Sequence, residues 1–303
     1  MLRSVDRAPL FYSSVKNPAF TPAQRSAFRQ LLDDPSPKVR QGLAAHFALH
    51  ASESVAFLRA IAARPTDPLA ASAALYLRDL NVADPVTDFR EFIRSLNYEL
   101  ETGAILLSRT LNPDLNVGQC CEQLDRLAAR CRELIAEPAS AREKCRVINR
   151  VLFFEQGFRG NTEHYADPLN SYIDQVLTRR KGIPISLSIV YLLVAERLGL
   201  QLEAIAVPGH FMVGCFEENV PFFIDAFNAG VFLSAEEVYA FVKQVSGNAS
   251  IADLAPTAVR EVLCRCCRNL ANHYSAARQN DHAALFAGFV AEFESTYERH
   301  AEP

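Results

Sequence analysis

The sequence has 303 residues, half of them apolar, and a formal net charge of −4. That is ample apolar material for a substantial core. It holds no basic block of the kind that neutralises phosphates, so nucleic acid is not an expected partner. The longest apolar run, Ile183 to Ala195, is interrupted by Pro184, Ser186 and Ser188 and is too short to span a bilayer. The first residues, MLRSVDRAPLFYSS, lack both a continuous apolar stretch and a small-residue cleavage site. A cytoplasmic protein without membrane attachment is the expectation.

The pattern predicts short helices from residue 1 to about 85. Thr21-Pro22 and Ser36-Pro37 are N-cap and N1 pairs, Ser52 is a third cap, and Asp67-Pro68 opens a fourth helix. Asp84-Pro85 marks a boundary. Long helical patterns follow at about 87–109, 117–135 and 140–154. A loop rich in Gly and Asn, GFRGNTEHYADP, comes next. Asp167-Pro168 then opens a helix to about Thr178, and another runs from Gly182-Ile183-Pro184 to a C′ glycine, Gly199.

Beyond Gly199 the apolar period changes to two. Leu202–Val207, His210–Phe216 and Pro221–Phe227 read as three antiparallel strands, with Pro208-Gly209 and Glu217-Glu218-Asn219 as turns. Helices return at 234–245, 256–276 and 279–299. The eight cysteines read as reduced, buried thiols. Cys264, Cys266 and Cys267 have a C-x-C-C spacing inside a helical pattern, which does not suit zinc.

Two polar residues carry most of the chemical interest. His210 heads one strand, with Met212 and Gly214 on its face and Phe211, Val213 and Cys215 on the other. Asp225 ends the next strand. Neighbouring antiparallel strands bring such a pair into contact, and a carboxylate that orients an imidazole supports it as a base. A nucleophile would belong at the start of the preceding helix, where a helix N-terminus lowers a thiol pKa. Pro184 stands there. Ser186 and Ser188 are nearby hydroxyls, and Ser186 is rotated about 200° around the helix from Pro184. The pair therefore admits several readings: a satisfied structural contact, the floor of a binding pocket, or part of a metal site with Glu163 and His164. Asn161, Glu163, His164, Tyr165 and Asn170 give one loop a dense set of polar tips, and loops beside a scaffold often bind. With Ser186 they form the candidate pocket.

The segment RKGIPISLSIVYLLVAERLGLQLEAIAVPGHFMV, followed by FFIDAF, resembles the transglutaminase-like superfamily, specifically its SirB-type branch. Arg180, Gly182, Gly199, His210 and Asp225 occupy the places of the family pattern, and its catalytic cysteine falls on Pro184. The upstream FRGNTEHYADPLNSYIDQVL is similar to the same branch. The resemblance implies an α+β, mostly helical fold: a papain-like core of helices packed on a small antiparallel sheet, with flanking helical regions. The expected divisions are 1–85, of which DDPSPKVRQGLAAHFAL resembles one HEAT repeat, a core at 86–250, and a tetratricopeptide-like hairpin at 251–303. No cofactor is implied. With no thiol at Pro184, the expected function is a catalytically inactive module whose partner is another protein. The alternative is a peptide or amide hydrolase that uses His210 and Asp225 with a nucleophile other than cysteine.

Overall fold

The computed structural model describes residues 20–64, 66–80, 84–247 and 250–301. The chain divides into two units, Met1–Ala83 and Asp84–Pro303. The first holds helices α1 (Pro22–Leu31), α2 (Pro37–Leu49), α3 (Ala51–Ala62) and α4 (Ala70–Asp79). Thr21 caps α1 in a reciprocal box with Gln24, and Pro22 and Pro37 stand in first turns, where a missing N–H is harmless. Ser52 lies inside α3, which starts after His50. Asp67 does not open α4; its Oδ1 accepts from the Leu69 amide at 3.1 Å and the helix begins at Ala70. Leu43, Phe47, Leu58, Ile61, Ala73 and Leu77 are buried together at the centre of this unit.

The second unit opens with α5 (Pro85–Arg94), capped by Asp84, and α6 (Leu100–Arg109). The sequence pattern runs these two together as one helix. The chain breaks between them, where Leu96 takes φ 57° and the Tyr98 hydroxyl donates to the Ile93 carbonyl at 2.7 Å. Next come α7 (Val117–Leu134) and α8 (Ala141–Asn149), the latter running into a π-helical turn at Arg150–Glu155. A two-residue strand β1 (Arg159–Gly160) pairs in parallel with β2 (Lys181–Gly182). Between them lie a 3₁₀ turn at Pro168–Asn170 and helix α9 (Ile173–Arg179), in place of the one helix expected from Asp167.

Helix α10 (Pro184–Arg197) is buried from Pro184 to Ala195, as its near-continuous apolar text requires. It ends ahead of Gly199 at φ 71°, the left-handed C′ position read from the sequence. A four-stranded antiparallel sheet follows in the order β3 (Leu202–Val207), β4 (His210–Cys215), β5 (Phe222–Asp225) and β6 (Val231–Ser234). The fourth strand has no sequence signature: it is short, at the sheet edge, and half exposed. Helix α11 (Ala235–Ser246), a 3₁₀ turn at Ile251–Leu254, and helices α12 (Val259–Ala276) and α13 (Asn280–Ala301) complete the chain.

The two faces of the sheet have different partners. Phe211, Val213, Cys215, Phe222 and Ile224 face the large core that contains α10. Ile205, Val207, Met212 and Phe223 pack with Val238 and Val242 of α11. Helices α12 and α13 contribute Leu263, Cys267, Leu270, Phe286 and Phe289 to the large core, so the last helices share one interior with the sheet and α10. The fold is α+β and mostly helical. Among the described residues no helix is long and apolar enough to cross a membrane.

Candidate functional site

The register of β4 and β5 brings His210 and Asp225 together. Val213 pairs with Ile224 and Gly214 with Phe223. Continued toward the strand ends, that register sets Asp225 opposite Met212, two residues from His210 on the same face. Diagonal neighbours of this kind lie within reach of long side chains. Nε2 of His210 is 2.8 Å from Oδ2 of Asp225, and both side chains are largely buried, 10% and 8% exposed.

The carboxylate is held from several directions. Oδ1 accepts from the amides of Phe227 (3.0 Å) and Asn228 (3.1 Å), and Oδ2 accepts from Nδ2 of Asn228 at 2.7 Å. Burial by itself would raise the Asp225 carboxyl. The hydrogen bond and charge of His210, with the Asn228 donors, outweigh it and hold the group below its usual value. With Nε2 of His210 engaged by the Asp225 carboxylate, Nδ1 is the ring nitrogen left over. Among the described residues, no side-chain hydroxyl, thiol or other group hydrogen-bonds that second nitrogen.

Arg265 of α12 fixes the strand end from behind. Its Nη2 donates to the carbonyls of His210 (2.8 Å) and Val207 (3.0 Å), and its guanidinium lies 5.6 Å from the Phe211 ring centre. The sequence reading missed it, because a lone arginine fifty-five residues along carries no local signal. Aromatic rings border the imidazole: Phe227 at 6.1 Å and Phe241 of α11 at 5.7 Å between ring centres. Tyr165 meets Phe227 edge-on at 6.0 Å between ring centres.

Gly160 pairs with Gly182, two residues before Pro184, and a Cβ on Gly160 would meet the Phe227 ring at 2.5 Å. The Phe227 ring thus packs against Gly160 of β1 and lies beside the His210 ring. Pro184 is buried at N1 and offers no nucleophile. Ser186 is spoken for: its Oγ donates to the Asn170 carbonyl at 2.6 Å and accepts from the Ile183 amide at 3.0 Å. Ser188 is fully buried in α10 with an unpartnered hydroxyl. Cys215 faces the large core, away from His210.

The remaining loop residues separate into two groups. Asn161, Asn170 and Ser186 are buried and bonded to one another's neighbourhood: Nδ2 of Asn161 donates to Oδ1 of Asn170 at 2.9 Å, and Nδ2 of Asn170 to the His164 carbonyl at 2.8 Å. They tie the loop to the start of α10. Glu163 and His164 are exposed, and Tyr165 is half exposed beside Phe227 and His273. Among the described residues, no group of three or more His, Cys, Asp or Glu is arranged to hold a metal ion.

The profile of the Transglutaminase-like superfamily matches residues 118–268, the span from α7 to α12 that contains His210 and Asp225. A UPF0162 protein of Xylella fastidiosa (strain 9a5c) is 35% identical over 194 residues, covering 62% of this chain and 69% of that one. The chain belongs to the UPF0162 family. The family's Vibrio cholerae member is 30% identical over 165 residues, which is 54% of this chain and 60% of the relative. Mouse F-box only protein 21 is 44% identical over 98 residues, 30% of this chain but 16% of that protein. No solved structure matches. The domain shared with the UPF0162 relatives is transglutaminase-like, a mostly helical α+β core around a small antiparallel sheet.

Proposed function

We propose that this protein is a catalytically silent transglutaminase-like domain of the SirB-type branch, which serves as a contact module for another protein. One observation carries the reading: His210 is oriented by Asp225, but no described hydroxyl or thiol lies in hydrogen-bond contact with it. A triad acts through a nucleophile bonded to its base. Pro184 supplies none, and Ser186 has its hydroxyl committed on both sides. The rim of the pair suits a peptide better than a reaction, since Phe227, Phe241 and Tyr165 present aromatic surface beside one open imidazole nitrogen. Aromatic side chains of this kind are enriched where proteins meet. The stretch similar to F-box only protein 21 makes up 16% of that chain, as expected of a module carried inside larger proteins. We read the α12–α13 hairpin as tetratricopeptide-like in its helix pairing and α1 to α4 as HEAT-like, each a surface for protein contacts.

The test is a probe experiment on the purified full chain. Iodoacetamide and fluorophosphonate probes are added, and labelled sites are read by mass spectrometry in wild type and His210→Ala. The expected result is no site whose labelling depends on His210. Stoichiometric modification of one serine or cysteine, lost in His210→Ala, would establish the hydrolase reading instead.

A further inference from the structure

The two edges of the four-stranded sheet are finished differently. At the β3 edge Thr257 meets both outward groups: its amide donates to the Ala204 carbonyl at 2.8 Å and its Oγ1 accepts from the Ala206 amide at 2.9 Å. Peptide groups alternate sides along an antiparallel strand. With Ala204 and Ala206 turned outward, the bonded pairs run through Ile205–Met212, Val213–Ile224 and Phe223–Leu233. Phe232 and Ser234 of β6 then face out at the opposite edge. The Ser234 amide is met by Oε2 of Glu237 at 2.7 Å. The peptide group of Phe232 has no partner among the described residues. Edge strands are ordinarily blunted by a charge, a proline or a bulge. Strand β6 reads VFLS, with no charge or proline, and Val231 is 50% exposed.

Helix α8 supplies a second observation. The Arg142 guanidinium lies 5.1 Å from the Phe232 ring centre and 4.8 Å from that of Phe222, and Asn149 donates to the Gly230 carbonyl at 2.6 Å. Positions 142, 146 and 149 share one helix face. That face runs beside β6 from Phe232 to Gly230 and carries the exposed Arg146 between its two contacts. Neither guanidinium makes a hydrogen bond or ion pair with a described residue. Two carboxylates in the neighbourhood are committed to amides at the start of α8: Glu143 to Ser140 at 2.8 Å and Glu218 to Arg142 at 2.9 Å.

We propose that the β6 edge takes up an extended acidic segment of a partner protein, added as a fifth strand with its carboxylates toward α8. Phe232 offers one N–H and one C=O, the set that a single residue of an added strand completes. Arg142 and Arg146 are four residues apart, about 6 Å along a helix. Alternate residues of a strand are about 6.6–6.8 Å apart. Carboxylates at every second residue thus reach both guanidinium groups, which bind them through charge-assisted hydrogen bonds. The intervening side chains lie toward Val231 and Leu233. A basic segment is repelled, and a nucleic acid lacks the backbone donor and acceptor that Phe232 pairs with. A second copy of β6 brings no carboxylate to the arginines. The surface uses neither the imidazole of His210 nor its aromatic rim, so it does not rest on the proposed function. Probe labelling bears on His210 and the titration below on β6, and either can fail alone.

Fluorescence anisotropy of the full chain with a labelled six-residue peptide alternating glutamate and valine tests it. The controls are the same peptide N-methylated at every residue and a counterpart with lysine for glutamate. The glutamate peptide should bind, the N-methylated one about tenfold more weakly, and the lysine one not at all. Arg142→Ala and Arg146→Ala should each weaken binding by about threefold, and the double variant by about tenfold. Thermal melts accompany the titrations. Arg146 is exposed, so Arg146→Ala carries the test if Arg142→Ala fails to fold. Absence of binding, equal affinity for the N-methylated peptide, or affinity unchanged in the arginine variants would overturn the proposal.

Discussion

Arg265 holds the backbone of His210: its Nη2 sits 2.8 Å from the His210 carbonyl oxygen and 3.0 Å from that of Val207. One guanidinium on α12 thus ties down both sides of the turn at Pro208-Gly209, from which the imidazole enters the sheet. Burial lowers the arginine's pKa, and its charge is satisfied by backbone carbonyls instead of a carboxylate.

Replacing Arg265 by alanine should cost about 1.5–3 kcal/mol, the range for hydrogen bonds to a charged group. Urea unfolding measures it. The His210 imidazole resonances should broaden or shift in the same variant, because the strand end loses its anchor. Arg265→Lys should recover only part of the loss, since a compact ammonium does not stack on Phe211.

Acid should separate wild type from Asp225→Asn. The Asp225 carboxyl is held below its unfolded value of 3.8. Its contribution is therefore complete above that value and is lost as pH falls through the lower folded value. Stability of wild type relative to Asp225→Asn should be constant from neutral pH to about pH 5 and fall below pH 4. A gap that does not narrow on acidification would show that the carboxylate is not the stabilised form.

Thiol reactivity should be low. Burial pushes Cys120 and Cys264 up to about 11, and Cys131, Cys145 and Cys266 up to about 12. Cys121 alone among the eight is not fully buried, and burial together with Glu101 raises it too. Ellman's reagent at pH 8 should titrate about one thiol slowly in the native protein and all of them in guanidinium. A fast-reacting native thiol would contradict the packing.

Gly160→Ala should destabilise by about 1–3 kcal/mol, because the new methyl meets the Phe227 ring at 2.5–2.7 Å in a packed setting. Phe227→Leu in the same chain should restore part of the loss. Chemical denaturation of the two single variants and the double variant gives the coupling. Additive effects would mean that the ring is not what fills the space beside Gly160.

Ser186→Ala should lose about 1–2 kcal/mol, since the hydroxyl both donates to Asn170 and accepts from Ile183. Probe labelling should be unchanged, which separates a serine that braces the start of α10 from a serine that reacts.

Much of the local structure was legible in the sequence, for reasons confined to a few adjacent residues. Pro22, Pro37, Pro85 and Pro184 each sit in a first turn, Gly199 takes the left-handed conformation, and the period-two runs give β3, β4 and β5. The order His210 then Asp225 on successive strands predicted their contact, and the register of β4 and β5 sets both on one face. What it left open depends on contacts between distant segments. The break at Leu96, the edge strand Val231–Ser234 and the incorporation of α12 and α13 into the main core have no periodic signature, because packing selects them. The roles of the loop residues were undecidable for the same reason: Asn161 and Asn170 are as polar as Glu163 and His164, and only their positions relative to the start of α10 turn the first two inward. Sequence alone thus determined the fold class, through the family resemblance of the stretch around 180–227, and the order of His210 and Asp225 on successive strands, since each rests on one stretch of chain. Tertiary structure decided that Phe227 packs against Gly160 and beside His210, and that Arg265 braces the strand end, since both are contacts that chain separation conceals.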